Sequence, residues 1–522
     1  MNENHPTGPS IQKGPSGSRL SGAFEADAQF FKTTFDRSTD IVFKELLVCD
    51  MYQGLIIFID GLVDASIIDE DVILPLLKSG SPLNEGYSSD EYDRNVLNFI
   101  QKNIISASQT KLEGELKQLT EAIASGDTVF ILEGSTDALL ISIRKKGSRS
   151  VEESPSEPVI RGPREGFTEN LRTNTSMIRR RLQSSKLKIE ALKIGEISNT
   201  DIVMVYVDGI VEESMLTELR ERLGRIRIDA VLESGYIEEL IEDNPYSVFP
   251  QTLSTERPDR VAAAILEGKI GIMIDNTPFA LIVPITFMGL LQSPEDYYQR
   301  YMISTATRWL RYWLAIIALT FPSIYIAVTT FHQEMVPTNL LLSIAASREA
   351  VPFPAIIEAF LMELAFEGLR EAGIRMPRPV GQAVSIVGAL VIGQAAVQAG
   401  IVSATLVIIV SFTGIASFIF PTYSLGIAAR LLRFPLMLLA GNLGLYGIFL
   451  GLLVICIHLL KLRSFGVPYL APLAPFSFSG LKDSLVRAPW WNMIKRPVHE
   501  AQPGNLQRMR RHLKPQPPEQ QD

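Results

Sequence analysis

Four carboxylates stand inside one apolar stretch: Glu358, Glu363, Glu367 and Glu371 all fall within Pro352–Ala372. A carboxylate can hold a cation, accept a proton or pair with an arginine. The spacing of four places Glu363, Glu367 and Glu371 on one helix face, and Glu358 about 140° from Glu363. A carboxylate at the centre of a bilayer-spanning helix costs about 2.5–3.5 kcal/mol. This face must therefore border water, another protein surface or the membrane interface. Repeated around the axis of a symmetric oligomer, it would make stacked acidic rings that favour cations and repel anions. Two other arrangements fit the same residues: an amphipathic helix lying on the bilayer surface, or pairing with Arg348, Arg370 and Arg375. Ala355, Ile356, Ala359, Phe360 and Met362 could supply a narrow apolar gate beside the acids.

Other chemistry is not signalled. There is no Walker loop, no dinucleotide-binding glycine fingerprint, no HExxH, no CxxC and no nucleophile elbow, so no catalytic residue, cofactor or metal is assigned. The histidines, His5, His332, His458, His499 and His512, have no ligand spacing. Asp64, Asp69, Glu70 and Asp71 lack the alternation and glycine of a calcium loop and read as a solvated helix start. The formal net charge of −8 gives no reason to expect nucleic acid as a partner. Cys49 reads as part of a buried strand and Cys456 as part of an apolar helix, so a disulfide between them is rejected.

The elements around the carboxylates fall into two halves. Residues 1–26 read as a disordered polar arm without the apolar core of a secretory signal. An α/β subdomain follows at 27–145. It holds a buried strand Leu55–Ile59 ending in Asp60-Gly61, a helical stretch Glu91–Ala124, and a hairpin of Thr128–Leu132 with Ala138–Ile143. A Pro- and Ser-rich linker occupies 146–165, and a second α/β subdomain 166–300. There a strand Ile202–Val207 ends in Asp208-Gly209, a helix runs Glu212–Ile226, and Gly271–Ile274 with Phe279–Ile285 makes a second hairpin. LIIFIDGLVDASII at 55–68 lines up with MVYVDGIVEESML at 204–216, and TVFILEGSTDALLISI with KIGIMIDNTPFALIVPI, in the same order. Two ordered matches predict an internal duplication. The Asp-Gly crevices are plain turn chemistry or, at strand ends, candidate ligand sites.

The fold class expected is an α/β soluble region of two related subdomains followed by an all-α polytopic transmembrane domain at 301–462. Its candidate spans are 312–331, with a kink at Pro322, then 352–372, 383–401, 405–424 and 434–460. Gly441, Gly444, Gly447 and Gly451 would permit close helix contact in the last. Arg300, Arg308 and Arg311 before the first span place the soluble half in the cytoplasm. Five spans would put the tail, 463–522, on the other side, yet its many Lys and Arg residues argue for the cytoplasmic side. One segment is then re-entrant or interfacial, the glutamate helix being the leading suspect.

RGPREGFTENLRTNTSMIRRRL at 161–182, SPEDYYQR at 293–300, the run from Phe353 to Ser403 and SFGVPYLAPLAP at 464–475 resemble the A subunit of the GerA-type spore germinant receptors. The resemblance covers about 27–476, nearly the whole chain. It implies a multi-pass protein of the spore inner membrane with two related soluble subdomains. It implies two partners: a transporter-like, nutrient-binding B subunit and a lipoprotein C subunit. It further implies homo-oligomerisation, contact with membrane lipid, and a nutrient-gated cation channel that starts germination. The alternative is a non-conducting membrane-anchored sensor or scaffold that binds ligand or partners through its soluble domains. Arg161, Arg164, Glu165 and Phe167 of the linker motif would join the subdomains, contact a neighbouring subunit or form a solvated hinge.

Overall fold

The computed structural model describes residues 19–48, 51–78, 96–107, 109–145, 153–154, 156–376, 393–496 and 507–508. Cys49, most of the expected arm and the first part of the expected span at 383–401 lie outside the described residues; a helical stretch covers 393–398.

The soluble half contains two five-stranded antiparallel sheets with the same strand order. The first is β1 (Ile41–Val48), β2 (Tyr52–Ile59), β3 (Thr110–Glu113), β4 (Thr128–Leu132) and β5 (Ala138–Ile141), ordered β1-β2-β4-β5-β3. The second is β6 (Leu187–Ile194), β7 (Thr200–Val207), β8 (Leu253–Thr255), β9 (Ile270–Ile274) and β10 (Ala280–Val283), ordered β6-β7-β9-β10-β8. The expected duplication thus extends to strand order.

Each sheet is covered on both faces, which explains why its central strand is apolar throughout. In β2, Leu55, Ile57 and Ile59 face α1 (Phe24–Thr34) and α2 (Leu116–Ser125), packing with Phe31, Leu119 and Ile123. The alternate residues Ile56 and Phe58 meet Val72, Leu76 and Ile100 on the other face. In β7, Val203 and Val205 pack with Ile178 of α3 (Leu171–Arg181). On the other face Ile202, Met204 and Tyr206 meet Leu216 and Leu219 of α4 (Glu213–Arg225) and Ile237 of α5 (Ser234–Ile241). Left-handed glycines end the equivalent helices of both units: Gly126 (φ 94°) closes α2 and Gly268 (φ 107°) closes α6 (Pro258–Glu267).

Two local expectations change. The stretch Glu91–Ala124 is not one helix. Helical turns at Val96–Ile104 give way to β3, which pairs with β5 as the sheet edge before α2 begins. Ladder hydrogen bonds to an exposed strand edge outweigh helical spacing there. The end of the arm is anchored: Leu20 is buried, its N–H donates to Gly114 O, and α1 starts at Phe24.

The helical half begins with α7 (Tyr301–Thr330), which at 1.5 Å per residue is about 45 Å long. Its first turns belong to the soluble half, since Arg308 and Arg311 are buried against Asp296. After it come α8 (Thr338–Arg348), α9 (Ala355–Arg375), α10 (Ala404–Ser417) and α11 (Tyr423–Lys461). Only α7 and α11, among the described helices, are long and apolar enough to cross a membrane.

The expected span 434–460 is part of a hairpin, not a single rod. Gly444 has φ 61° and ψ −143°, and the helix folds back there. A Cβ on Gly447 would lie 2.2 Å from Leu439 O, and one on Gly451 would meet Leu436. Such contacts are impossible along a straight helix, where residues eight apart sit about 12 Å apart. The small residues do give close helix contact, but between the two limbs of one hairpin. Leu425 and Ala428 at its start, and Leu459 and Leu462 at its end, all enter the core of the second subdomain.

The tail therefore returns to the soluble half. Ser464 Oγ donates to Gln251 O, Tyr469 OH to Pro250 O, and Phe287 N to Tyr469 O. The extra limb supplied by Gly444 accounts for a basic tail on the same side as the basic start of α7. The glutamate helix need not be re-entrant to explain it.

Candidate functional site

α9 follows Pro354 and carries the four carboxylates inward or along its flank. Ile357, Leu361, Leu364 and Ile374 form its exposed face. Glu358 and Glu363 are fully buried, Glu367 keeps 25% of its side-chain exposure and Glu371 60%. In the single chain, Glu358, Glu363 and the expected gate residues face the bundle, while Glu371 is exposed. Ala355 and Ala359 are buried, Ile356 fills the space beside Gly441, Phe360 meets Phe434 with ring centroids 5.7 Å apart, and Met362 packs beside them.

Each carboxylate meets an arginine. Arg348 of α8 lies 3.5 Å from Glu358, whose other oxygen accepts the Ser403 N–H at the start of α10. Glu363 pairs with Arg433 of the first α11 limb, both buried. Glu367 lies 3.6 Å from Arg370 and accepts from Arg430 at 3.0 Å. Glu371 pairs with Arg375 at 2.6 Å. Arg370 is also held over the Phe366 and Phe418 rings and donates to Ser417 Oγ. Arg348, Arg370 and Arg375 thus meet acids, as the pairing arrangement expected. Arg430 and Arg433, which helical spacing around the acids does not single out, carry the two ion pairs between α9 and α11.

Arg433 also donates from Nε to Ala318 O of α7 at 2.9 Å. That carbonyl stands four residues before Pro322, which has no N–H to close the helical bond. The proline frees an acceptor at depth and the arginine takes it. A proline placed mid-helix was the available sequence signal for a polar partner there.

The layer is incompletely satisfied. Among the described residues, Glu358 Oε2, Glu363 Oε1, Glu367 Oε1, Arg348 Nε, Arg370 Nε and Arg433 Nη2 are buried without a hydrogen-bond partner. Each of these ion pairs uses part of its capacity, the pattern of a network that water, an ion or a neighbour can complete.

The linker-motif residues sit apart from this layer, on the second subdomain. Glu165 pairs with Arg181 at 2.8 Å, and Phe167 is buried with its N–H donating to Glu256 O at 2.7 Å. The Arg161 N–H donates to Glu295 at 3.3 Å, while Arg164 is exposed and only 4.0 Å from Glu153. Two further arginines hold the soluble half together. Arg257 donates to Glu157 O and Pro163 O, fastening the linker. Arg179, from the RTNTSMIRRR segment, makes a fully buried two-pronged pair with Asp40 of the first subdomain at 2.8 Å.

Comparison with known proteins identifies the family of this chain. The family model described as Bacillus/Clostridium GerA spore germination protein matches residues 29–499. An uncharacterized membrane protein, YfkQ, of Bacillus subtilis (strain 168) is 48% identical over 459 residues, covering 88% of each chain. Spore germination protein KA of the same organism is 48% identical over 462 residues, covering 88% of this chain and 83% of that protein. Spore germination protein A1, also from that organism, is 44% identical over 379 residues, 73% and 79% of the two chains. Among solved structures, the N-terminal domain of the A subunit of the Bacillus megaterium spore germinant receptor GerK3 is 31% identical. It covers 52% of this chain and 99% of its own, with a TM-score of 0.42. The chain belongs to the GerA family of spore germination proteins, as a germinant-receptor A subunit.

Proposed function

We propose that this chain is the conducting subunit of a nutrient-sensing germination receptor, assembled in several copies in the spore inner membrane. Its soluble half lies in the cytoplasm. A transporter-like B subunit holds the nutrient and a lipoprotein C subunit completes the receptor. Nutrient binding on the partner favours a state in which cations pass along the helical domain. For that, the bound partner must hold the open state more tightly than the closed one.

The reading rests on the under-satisfied charged layer in an otherwise apolar helical half. Glu358, Glu363, Glu367 and Glu371 lie along the proposed path, and the partly exposed Glu367 and Glu371 are the carboxylates that water can reach first. Replacing both with Gln is expected to reduce cation-over-anion permeability of the reconstituted receptor under a mixture of amino acids and sugars. Unaltered permeation would count against the conducting reading.

One observation favours a non-conducting anchor: every carboxylate already has an arginine within its own chain. A receptor that triggers germination without carrying current would support it. The exposed Arg161 and Arg164 of the linker are proposed subunit contacts. Arg164→Ala should then shift the detergent-extracted complex to smaller species.

A further inference from the structure

Arg433 joins three helices at one buried point. It comes from the first limb of α11, holds Glu363 of α9, and occupies the Ala318 carbonyl that Pro322 leaves open on α7. Its guanidinium is 1% exposed and its carboxylate partner 0%. One nitrogen of Arg433 and one oxygen of Glu363 have no partner, so the clamp is held by a single bond on each side and not by a two-pronged fork. One turn further along α9, Arg430 holds Glu367 in the same way, while Arg348 holds Glu358 from α8. Among the described residues, four carboxylates thus face five guanidinia in the layer.

We infer that Arg433 is the latch that keeps the helical domain shut. The inference rests on the conducting reading and names its control. While the latch is closed, Glu363 is neutralised and the layer as a whole favours anions over cations. A rotation of α9 that withdraws Glu363 from Arg433 bares a carboxylate and unties α9 from α7 and α11, while Arg433 stays on the Ala318 carbonyl. One movement therefore releases the helix and carries an unmasked negative charge with it. The proline is part of the device: it leaves the Ala318 carbonyl wholly to Arg433, where an N–H at position 322 would share it and weaken the second anchor.

The test reads cation release in the absence of nutrient, from vesicles carrying the assembled full-length receptor loaded with rubidium. Arg433→Gln and Glu363→Gln should each raise basal release about tenfold or more, within the usual range of coupling between sites. The exchange Glu363→Arg with Arg433→Glu should bring it back toward the parent level. Pro322→Ala removes no charge and restores a helical hydrogen bond. It is nevertheless expected to raise basal release, because the new N–H competes for Ala318 O. That variant also keeps the test decisive if the charge variants fail to assemble. Should the parent receptor release rubidium under a mixture of amino acids and sugars while all variants stay shut without it, the latch is wrong and conduction stands. If Glu363→Gln lowers stimulated flux with no basal leak, Glu363 is a lining group and Arg433 a structural partner. If not even the stimulated parent receptor passes rubidium, the conducting reading itself fails.

Discussion

A buried arginine with two ordered anchors does more than an exposed one with a single acid. Arg179 shows the strong form: both members of its pair with Asp40 are 1% exposed, and a third bond goes to Leu187 O. Removing one member leaves the other charged, buried and alone, which costs about 3–5 kcal/mol. Asp40→Ala is therefore expected to lower the melting temperature of the full-length protein by several degrees, whereas Lys117→Ala, whose 3.9 Å pair with Glu121 is exposed, should leave it unchanged. The carboxylates of α9 stand out in the sequence because Arg370 is the one other charge in their stretch. Arg348, Arg370 and Arg375 were legible as partners, but Arg430 and Arg433 were not, because they lie 63 and 70 residues further along the chain from Glu367 and Glu363. Pairwise contact over such a distance depends on how two helices are rotated, and helical spacing carries no information on that.

Among the elements, the strands were legible and the last helix was not. Central strands read as unbroken apolar runs, and β2, β4, β7 and β9 fall where those runs are. The edge strands β1 and β6 were missed, since KELL and EALK mix polar and apolar positions and only pairing with β2 and β7 fixes them. The α11 hairpin was hidden because apolar composition continues straight through its turn. Only the left-handed φ at Gly444 marks it, and that is a property of conformation. An alanine there would be forced into a positive-φ backbone essentially reserved for glycine, at a cost of about 1–3 kcal/mol, and its Cβ would lie 2.8 Å from His332 Nε2. Gly444→Ala should therefore lower the melting temperature of the detergent-extracted protein. Gly447→Leu should be worse, because its side chain would meet the Leu439 backbone at 2.2 Å.

For the whole molecule, the decisive joint is where the tail meets the second subdomain and the base of α7. Arg308 and Arg311 hold Asp296, Arg308 also reaches Asp483 of the tail at 3.5 Å, and Arg487 donates to Asp296 O. Nearby, Glu242 accepts from Gln251 N, whose residue in turn receives Ser464 of the tail. Burial is the main cause that raises the Glu242 carboxyl from 4.5 to about 7, with Glu238 and Asp243 adding to it and the Gln251 bond opposing it. A raised carboxyl favours the folded joint while it is protonated. Its contribution is complete below about pH 4.5 and is lost as pH rises to about 7. After discounting for partial exposure, about 1–2 kcal/mol is at stake. Glu242→Gln should flatten the stability profile between these values and raise the melting temperature at pH 8.

The fold-back at Gly444 has a practical corollary for anyone labelling this protein. Because the last limb delivers residues 463–496 to the same face as the two sheets, fluorophores attached at Lys117 and Lys482 would sit in one compartment. A protease admitted only to the opposite side would find neither of them.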